Sequence, residues 1–279
     1  MAEDDPNANE PAEPADPRLH DATIEQNRRA WNETAAIHER ARMPELLAAV
    51  ARGGFSTLDA TEERIFEELG VARGLAVAQL CCNNARELLS LRLRGAGRCT
   101  GFDVSEAFLA QGARLAAAAE THLELVRTSV YDIPAHYSGL YDIVYVTVGA
   151  LGWMPDLGAF LGAAARLLAP GGALFIYEMH PLLDMLDPDS GLALKHSYFR
   201  SEPYVNEAEP DYFDPSQRVT EPSYWYHYTL GDLLGGCIRH GLKLEHFEEH
   251  PHDVSTVFAH LASERMLPMS YTLVARRRA

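Results

Sequence analysis

The sequence predicts an α/β protein: a doubly wound, mostly parallel sheet of seven strands, preceded by helices and interrupted by an insertion. Three observations predict it. From Leu75 onward, short apolar runs alternate with helix-period repeats, the pattern of a parallel sheet covered on both faces. Val77-Ala78-Gln79-Leu80-Cys81-Cys82-Asn83-Asn84-Ala85 reads as a buried strand that breaks abruptly into a helix near Arg86. Leu157, Phe160, Leu161, Ala164 and Leu168 repeat at i, i+3, i+4, i+7 and i+11 before Pro170-Gly171-Gly172, a helix stopped ahead of another strand.

The first residues, 1–20, are rich in Ala, Pro, Asp, Glu and Asn. That composition cannot repay ordering entropy, so a disordered acidic tail is expected. Residues 21–70 read as a helical cap. Ile24, Trp31, Ala35 and His38 share one helical face, a second helix covers Pro44 to Ala51, and a third runs from Asp59 to Leu69 and stops at Gly70.

Residues 71–279 carry the alternation. Strands are expected at Leu75–Leu80, Cys99–Phe102, Leu123–Val126, Tyr141–Val148 and Ala173–Tyr177, with Ser105 capping the helix after the second. The stretch 181–228 lacks periodicity and is dense in Tyr, Phe, Trp, Pro and Asp, which marks a lid or insertion. A helix from Leu230 to about Gly241 follows, then two last strands at Leu242–Phe247 and Ser270–Ala275.

Bulk properties narrow the function. A chain of 279 residues, 47% hydrophobic, can bury one large core. A net charge of −16 argues against nucleic acid as the main partner and suits small-molecule ligands. No stretch is apolar enough to cross a bilayer, and the acidic N-terminus does not read as a signal peptide, so a cytoplasmic protein without a membrane partner is expected. Cys81, Cys82, Cys99 and Cys237 show no paired metal spacing. No metal is expected, and a homodimer is left open.

The strongest constellation is the strand–turn–helix at Val77–Arg86 followed by Asp103, which closes the second strand 103 − 81 = 22 residues beyond the turn. A carboxylate there can accept hydrogen bonds from both hydroxyls of a ribose. It can equally cap the helix that starts near Ser105.

With these residues in place, the chain resembles the class I S-adenosylmethionine-dependent methyltransferases, in their small-molecule form. The resemblance rests on Val77–Ala85, Gly101-Phe102-Asp103-Val104-Ser105, Tyr141-Asp142-Ile143-Val144 and Leu167-Leu168-Ala169-Pro170-Gly171-Gly172-Ala173-Leu174, and it spans about residues 71–279. It implies a Rossmann-like methyltransferase fold, with Ser270–Ala275 antiparallel between the fifth and sixth strands. It implies S-adenosyl-L-methionine as cofactor, held by Leu80, Cys81, Cys82, Asn83, Asp103, Val104, Ser129, Val130, Val148 and Gly149. The chain departs from the family at Gln79, where an acidic residue is usual, at Cys81, Asn83 and Ala85, where glycines are usual, and at Ser129, where an Asp is frequent. Two competing readings are a dinucleotide oxidoreductase, which lacks its Gly-x-Gly-x-x-Gly, and a non-catalytic binding protein on the same fold.

Ligands in open α/β sheets sit beyond the carboxyl ends of the strands, here Gly149–Trp153 and Glu178–Pro181. The resemblance places the transferred methyl between these loops. Methyl transfer is largely a matter of positioning two reactants; where a base is needed, His180 is the first choice and His227 the second. His180 reads equally well as a structural residue beside Pro181. Substrate contacts are expected from Trp31, Trp153, Glu178, Tyr224, Tyr226 and His250. The rings of the insertion would wall the chamber; the resemblance implies that Trp31 and His38 close it from above, and Trp31 reads equally well as a plain core anchor.

Overall fold

In chain order the helices are α1 (Pro17–Ala41), α2 (Met43–Ala51), α3 (Ala60–Leu69), α4 (Arg86–Leu93), α5 (Glu106–Ala118), α6 (Leu157–Leu167) and α7 (Leu230–Arg239). The long strands are β1 (Val77–Leu80), β2 (Cys99–Asp103), β3 (Glu124–Arg127), β4 (Tyr141–Val146), β5 (Leu168–Met179), β10 (Leu242–His250) and β11 (Ser270–Arg277). Within the insertion lie β6 (Tyr204–Asn206), β7 (Glu209–Pro210), β8 (Arg218–Val219) and β9 (Ser223–Trp225). This computed structural model describes residues 17–187, 192–255, 257–261 and 266–278.

The seven long strands form one sheet in the order β10-β11-β5-β4-β1-β2-β3. β1, β2, β3, β4 and β5 run parallel, while β11 is antiparallel to both β5 and β10. The expected reversal of the last strand between the fifth and sixth is therefore present. Side chains alternate across the sheet. Ala78, Leu80, Val144, Val146, Leu174 and Ile176 pack with α6 and α7 on one face. Val77, Ile143, Tyr145 and Phe175 pack with α2, α3 and α4 on the other. On that second face the hydroxyl of Tyr145 donates to the buried carboxyl of Glu62, which burial pushes up to about 7.

Two of the boundaries that depart from expectation are informative. α1 begins at Pro17, inside the stretch assigned to the acidic tail; proline is compatible with a first helical turn, and residues 1–16 of that assignment lie outside the described residues. α6 ends at Leu167, and β5 begins at Leu168 instead of Ala173. The Pro170-Gly171-Gly172 run is a bulge in β5: Tyr141 pairs with Leu168 while Ile143 pairs with Ala173. Gly171 takes a positive φ of 79°. An added Cβ at Gly172 would stand 2.9 Å from the Tyr141 carbonyl oxygen.

The insertion forms two small sheets, β6–β9 and β7–β8, in place of the structureless stretch the sequence suggested. Polar side chains of α1 stitch it down. Asn27 donates to the Tyr224 carbonyl at 3.0 Å and accepts from its N–H at 2.8 Å. Glu33 accepts from the N–H groups of Thr220 and Glu221. His38 and Asp211 meet at 3.0 Å, both buried. A segment so tied shares the position of α1, so helix and insertion together roof the carboxyl edge of the sheet.

Candidate active site

The strand-breaking turn after β1 is built from residues that glycine usually supplies. Cys81, Asn83 and Ala85 have φ of 53°, 51° and 54°, the left-handed region that disfavours a Cβ. These are the three positions at which the resemblance implies glycine. Asn83 eases its own strain, because its Oδ1 accepts the N–H of Asn84 at 2.7 Å. The bulk of the turn is absorbed by its neighbours. A Cβ on Gly101 of β2 would lie 2.7 Å from Cys82 Sγ, and one on Gly112 of α5 would lie 2.9 Å from the Asn84 carbonyl oxygen.

Asp103 locks this turn to the end of β2. Its Oδ2 accepts the Asn83 N–H at 2.7 Å, and its Oδ1 accepts the Ser105 N–H at 2.8 Å. Burial pushes the carboxyl up to about 6, and those backbone donors offset part of the rise. Ser105 caps α5 as expected, accepting the Phe108 N–H. The capping task thus falls to Ser105, while Asp103, with acceptor capacity beyond its backbone donors, lines the space above the turn.

That space is a cavity of about 380 Å³. Of the expected cofactor residues, Cys81, Cys82, Asn83, Asp103, Val104, Ser129, Val130, Val148 and Gly149 line it. Leu80 does not: its side chain is fully buried in the core on the α6 face. The cavity fits S-adenosylmethionine on structural grounds. A half-buried carboxylate lines the cavity beside a left-handed turn at a helix N-terminus, with Val104, Val130 and Phe102 supplying apolar lining.

Beyond the turn the same cavity continues into an aromatic chamber. Trp31 meets Phe108 and Trp153 edge-on, with ring centroids 5.9 and 5.0 Å apart, and Trp153 meets Trp225 at 5.2 Å. Trp31 and Trp153 line the cavity as expected, joined by Tyr212 and Phe213 of the insertion. His38 lies behind these two rings, 4.9 and 4.7 Å away, where burial lowers its pKa; it does not line the cavity. Tyr212 and Val257 are about half exposed and mark the mouth.

The remaining expected site residues stand outside this cavity. His180 is buried; its Nδ1 accepts the Leu182 N–H at 3.2 Å and its Nε2 meets Glu249 at 2.9 Å. No lone pair is left to take a substrate proton, and burial lowers its pKa. His227 is equally committed, to Asp184 at 2.9 Å and to the Tyr198 carbonyl at 2.8 Å. His250 packs against Thr272 at 3.1 Å. The Tyr224 backbone is pinned to Asn27, and Tyr226 lines a separate small cavity.

Glu178 holds the protein's own backbone. Its carboxylate accepts four N–H groups, from Gly149 at 2.6 Å, Ala150 at 3.0 Å, Leu151 at 3.2 Å and Met179 at 2.9 Å. Burial pushes it up to about 7 against those donors. It therefore shapes the loop that carries Gly149 and Trp153.

Sequence reasoning missed Arg86, Glu87, Asn27 and residues 254, 255 and 257, all of which line the cavity. Met179 lies in the Glu178–Pro181 stretch that the strand-end rule singled out, and it too lines the cavity. Arg86 and Glu87 open α4 and pair at 2.6 Å, a signal legible as the first turn after the cofactor bend. Residues 254, 255 and 257 carry no sequence signal. Among the described residues no group of three or more His, Cys, Asp or Glu is placed to hold a metal ion, and no helix is long and apolar enough to cross a membrane.

Comparison with known proteins gives this geometry a family. Residues 77–172 match the family model described as a methyltransferase domain. No curated protein matches the sequence. Among solved structures, a putative S-adenosylmethionine-dependent methyltransferase from Listeria monocytogenes superposes with a TM-score of 0.59 at 16% identity, over 77% of this chain and 98% of that one. An S-adenosylmethionine-dependent methyltransferase from Mesorhizobium loti gives 0.55 at 23%, over 78% and 98%. The geranyl diphosphate C-methyltransferase of Streptomyces coelicolor gives 0.53 at 14%, over 77% and 76%. At these identities the structures establish a shared fold. The family match lies across β1 to the β5 bulge, the stretch that builds the cofactor side of the cavity, and sets aside the dinucleotide and non-catalytic readings. The chain therefore carries a class I S-adenosylmethionine-dependent methyltransferase domain, with S-adenosyl-L-methionine as its methyl donor.

Proposed function

We propose that the enzyme methylates an oxygen or nitrogen of a small, flat, apolar molecule that enters under the 181–228 insertion. One observation carries this reading: the turn with Asp103 and the chamber of Trp31, Trp153 and Trp225 belong to one continuous cavity. Two reactants can thus be held in line, and for a displacement at carbon such positioning supplies most of the rate.

S-adenosylmethionine supplies the methyl as an electrophilic carbon on a sulfonium. In this reading Asp103 accepts the ribose hydroxyls, Val104, Ser129 and Val130 flank the adenine, and Cys81, Cys82, Asn83, Val148 and Gly149 enclose the methionine arm. Trp31 and Trp153 position the acceptor and exclude water. Neither His180 nor His227 serves as base. The acceptor atom is then nucleophilic on its own, as an amine is, or enters already ionised. Glu178 acts by fixing the Gly149–Leu151 backbone. The four cysteines are free thiols, which suits the reducing, cytoplasmic setting proposed for this enzyme.

Product mass after incubation with S-adenosylmethionine and a panel of phenols, amines, thiols and carbon nucleophiles tests this. A mass gain of one methylene on a phenol or amine supports the proposal. Methylation confined to carbon or sulfur acceptors overturns the choice of atom, and no product from any acceptor overturns the acceptor reading.

A further inference from the structure

The chamber ends, on the insertion side, at Trp225 and Met179. Both side chains also line a second, smaller cavity of about 30 Å³, walled by Glu178, Asp184, Tyr226, Tyr228 and Tyr271. Trp225 is therefore a partition between two spaces, with the aromatic chamber before it and a small, mostly apolar recess behind.

Its ring is held from several sides. On one side, Gly152 leaves room for it: an added Cβ there would fall 2.2 Å from Trp225 Cε2. Behind, the indole Nε1–H donates to Asp184 Oδ1 at 3.2 Å, while Asp184 Oδ2 meets His227 Nδ1 at 2.9 Å. On its edge stands Trp153, perpendicular at 89°. The backbone is fixed by pairing of Trp225 with Tyr204 across β6–β9 and by the Tyr226 N–H donating to the Gly152 carbonyl at 2.6 Å. A side chain fixed this firmly makes a wall of definite position, which a mobile ring would not.

We propose that Trp225 is the specificity-determining wall of the acceptor chamber, and that Asp184 is its positioning residue. The inference rests on reading the chamber as the acceptor site. It adds a limit on the acceptor: a flat apolar head group whose far end stops at the indole. A longer acceptor with the same head group meets the ring edge, and the recess behind is closed to it. Removing the indole joins the two spaces. Freeing it from Asp184 lets it swing and softens the limit.

The experiment is a product-mass and steady-state assay on phenols and anilines carrying para-alkyl chains of increasing length, with S-adenosylhomocysteine calorimetry and thermal melting on every variant. In the wild type, kcat/KM is expected to fall abruptly at one chain length. Trp225→Ala is expected to raise the efficiency of the next longer acceptors relative to the shortest by roughly tenfold or more, the scale set by each accommodated methylene. Trp225→Phe, which keeps an apolar wall but loses the N–H, and Asp184→Ala are each expected to give a smaller shift in the same direction. S-adenosylhomocysteine affinity is expected to stay within about threefold throughout, since the cofactor side is untouched. If Trp225→Ala does not fold, the other two variants carry the same test. A merely structural role would lower efficiency for all chain lengths in proportion, and an unmoved ratio in the folded variants overturns the wall. A wild type that binds S-adenosylhomocysteine but methylates no member of the series overturns the acceptor reading instead.

Discussion

The backbone N–H of Asn83 donates to Asp103 Oδ2 at 2.7 Å, so the carboxylate proposed to receive ribose hydroxyls is also the clamp on the left-handed turn after β1. Two functions share one ionisable group, which makes cofactor binding sensitive to pH. Burial pushes Asp103 up to about 6 from 3.8. The fold therefore holds this proton more tightly than the unfolded chain does, and the group's contribution to stability falls as pH rises through that window.

Cofactor binding runs the other way. Two hydroxyl donors favour the ionised form, so S-adenosylhomocysteine should bind about tenfold more weakly at pH 5 than at pH 7.5, where the carboxylate is almost fully ionised. Calorimetry across that range checks it. Asp103→Asn should bind more weakly at neutral pH and show a nearly flat profile.

The pair Cys82 and Gly101 gives a second prediction. Gly101→Ala would set a Cβ 2.7 Å from Cys82 Sγ and 3.1 Å from Leu125 Cδ2. Overpacking of this kind costs about 1–3 kcal/mol. Removing the thiol in Gly101→Ala/Cys82→Gly should recover part of that loss. Chemical denaturation of the four proteins of the cycle should give a coupling of about 1 kcal/mol or more; strict additivity would mean the two side chains do not compete for this space.

Glu178 gives a third. In Glu178→Gln an amide NH2 would replace one of two oxygens that together accept four backbone N–H groups. Donor would then face donor, with buried N–H groups left unpaired at about 1–3 kcal/mol. The melting temperature should fall. Turnover should fall roughly tenfold or more, because small misplacements of the loop bearing Gly149 and Trp153 are costly to positioning. Steady-state kinetics beside a melting curve checks both, and a stable variant with wild-type turnover would show that the loop keeps its shape unaided.

Much of this site was legible in the sequence, for identifiable reasons. Periodicity located the strands and α6, because burial on a sheet face or helix stripe imposes a fixed repeat. The strand–turn–helix spacing pointed to Asp103, the strand-end rule to Gly149 and Trp153, and the family resemblance to Val104, and all four line the cavity. Side-chain partners chosen across long sequence separations were not legible. His180 pairs with Glu249 and His227 with Asp184, and nothing in the local pattern of either histidine announces that both of its ring nitrogens are spent. The absence of glycine from the turn was visible, whereas its compensation by Gly101 and Gly112 needed the approach of β2 and α5.

The last prediction concerns those histidines. With Nδ1 of His180 accepting from Leu182 and Nε2 set against Glu249, the ring is a strut between the end of β5 and the end of β10. Burial also lowers its pKa, away from the neutral range in which a base would titrate during assays. His180→Gln can keep one of the two contacts. The variant should melt lower than wild type, by an amount set by one lost hydrogen bond of about 1 kcal/mol. Its profile of kcat against pH should nevertheless keep the wild-type shape, because no proton passes through this ring. If His180 were the base, the variant would lose the limb of the profile that reports it, and turnover would collapse without a matching loss of stability. Measuring both quantities on one preparation separates a strut from a base.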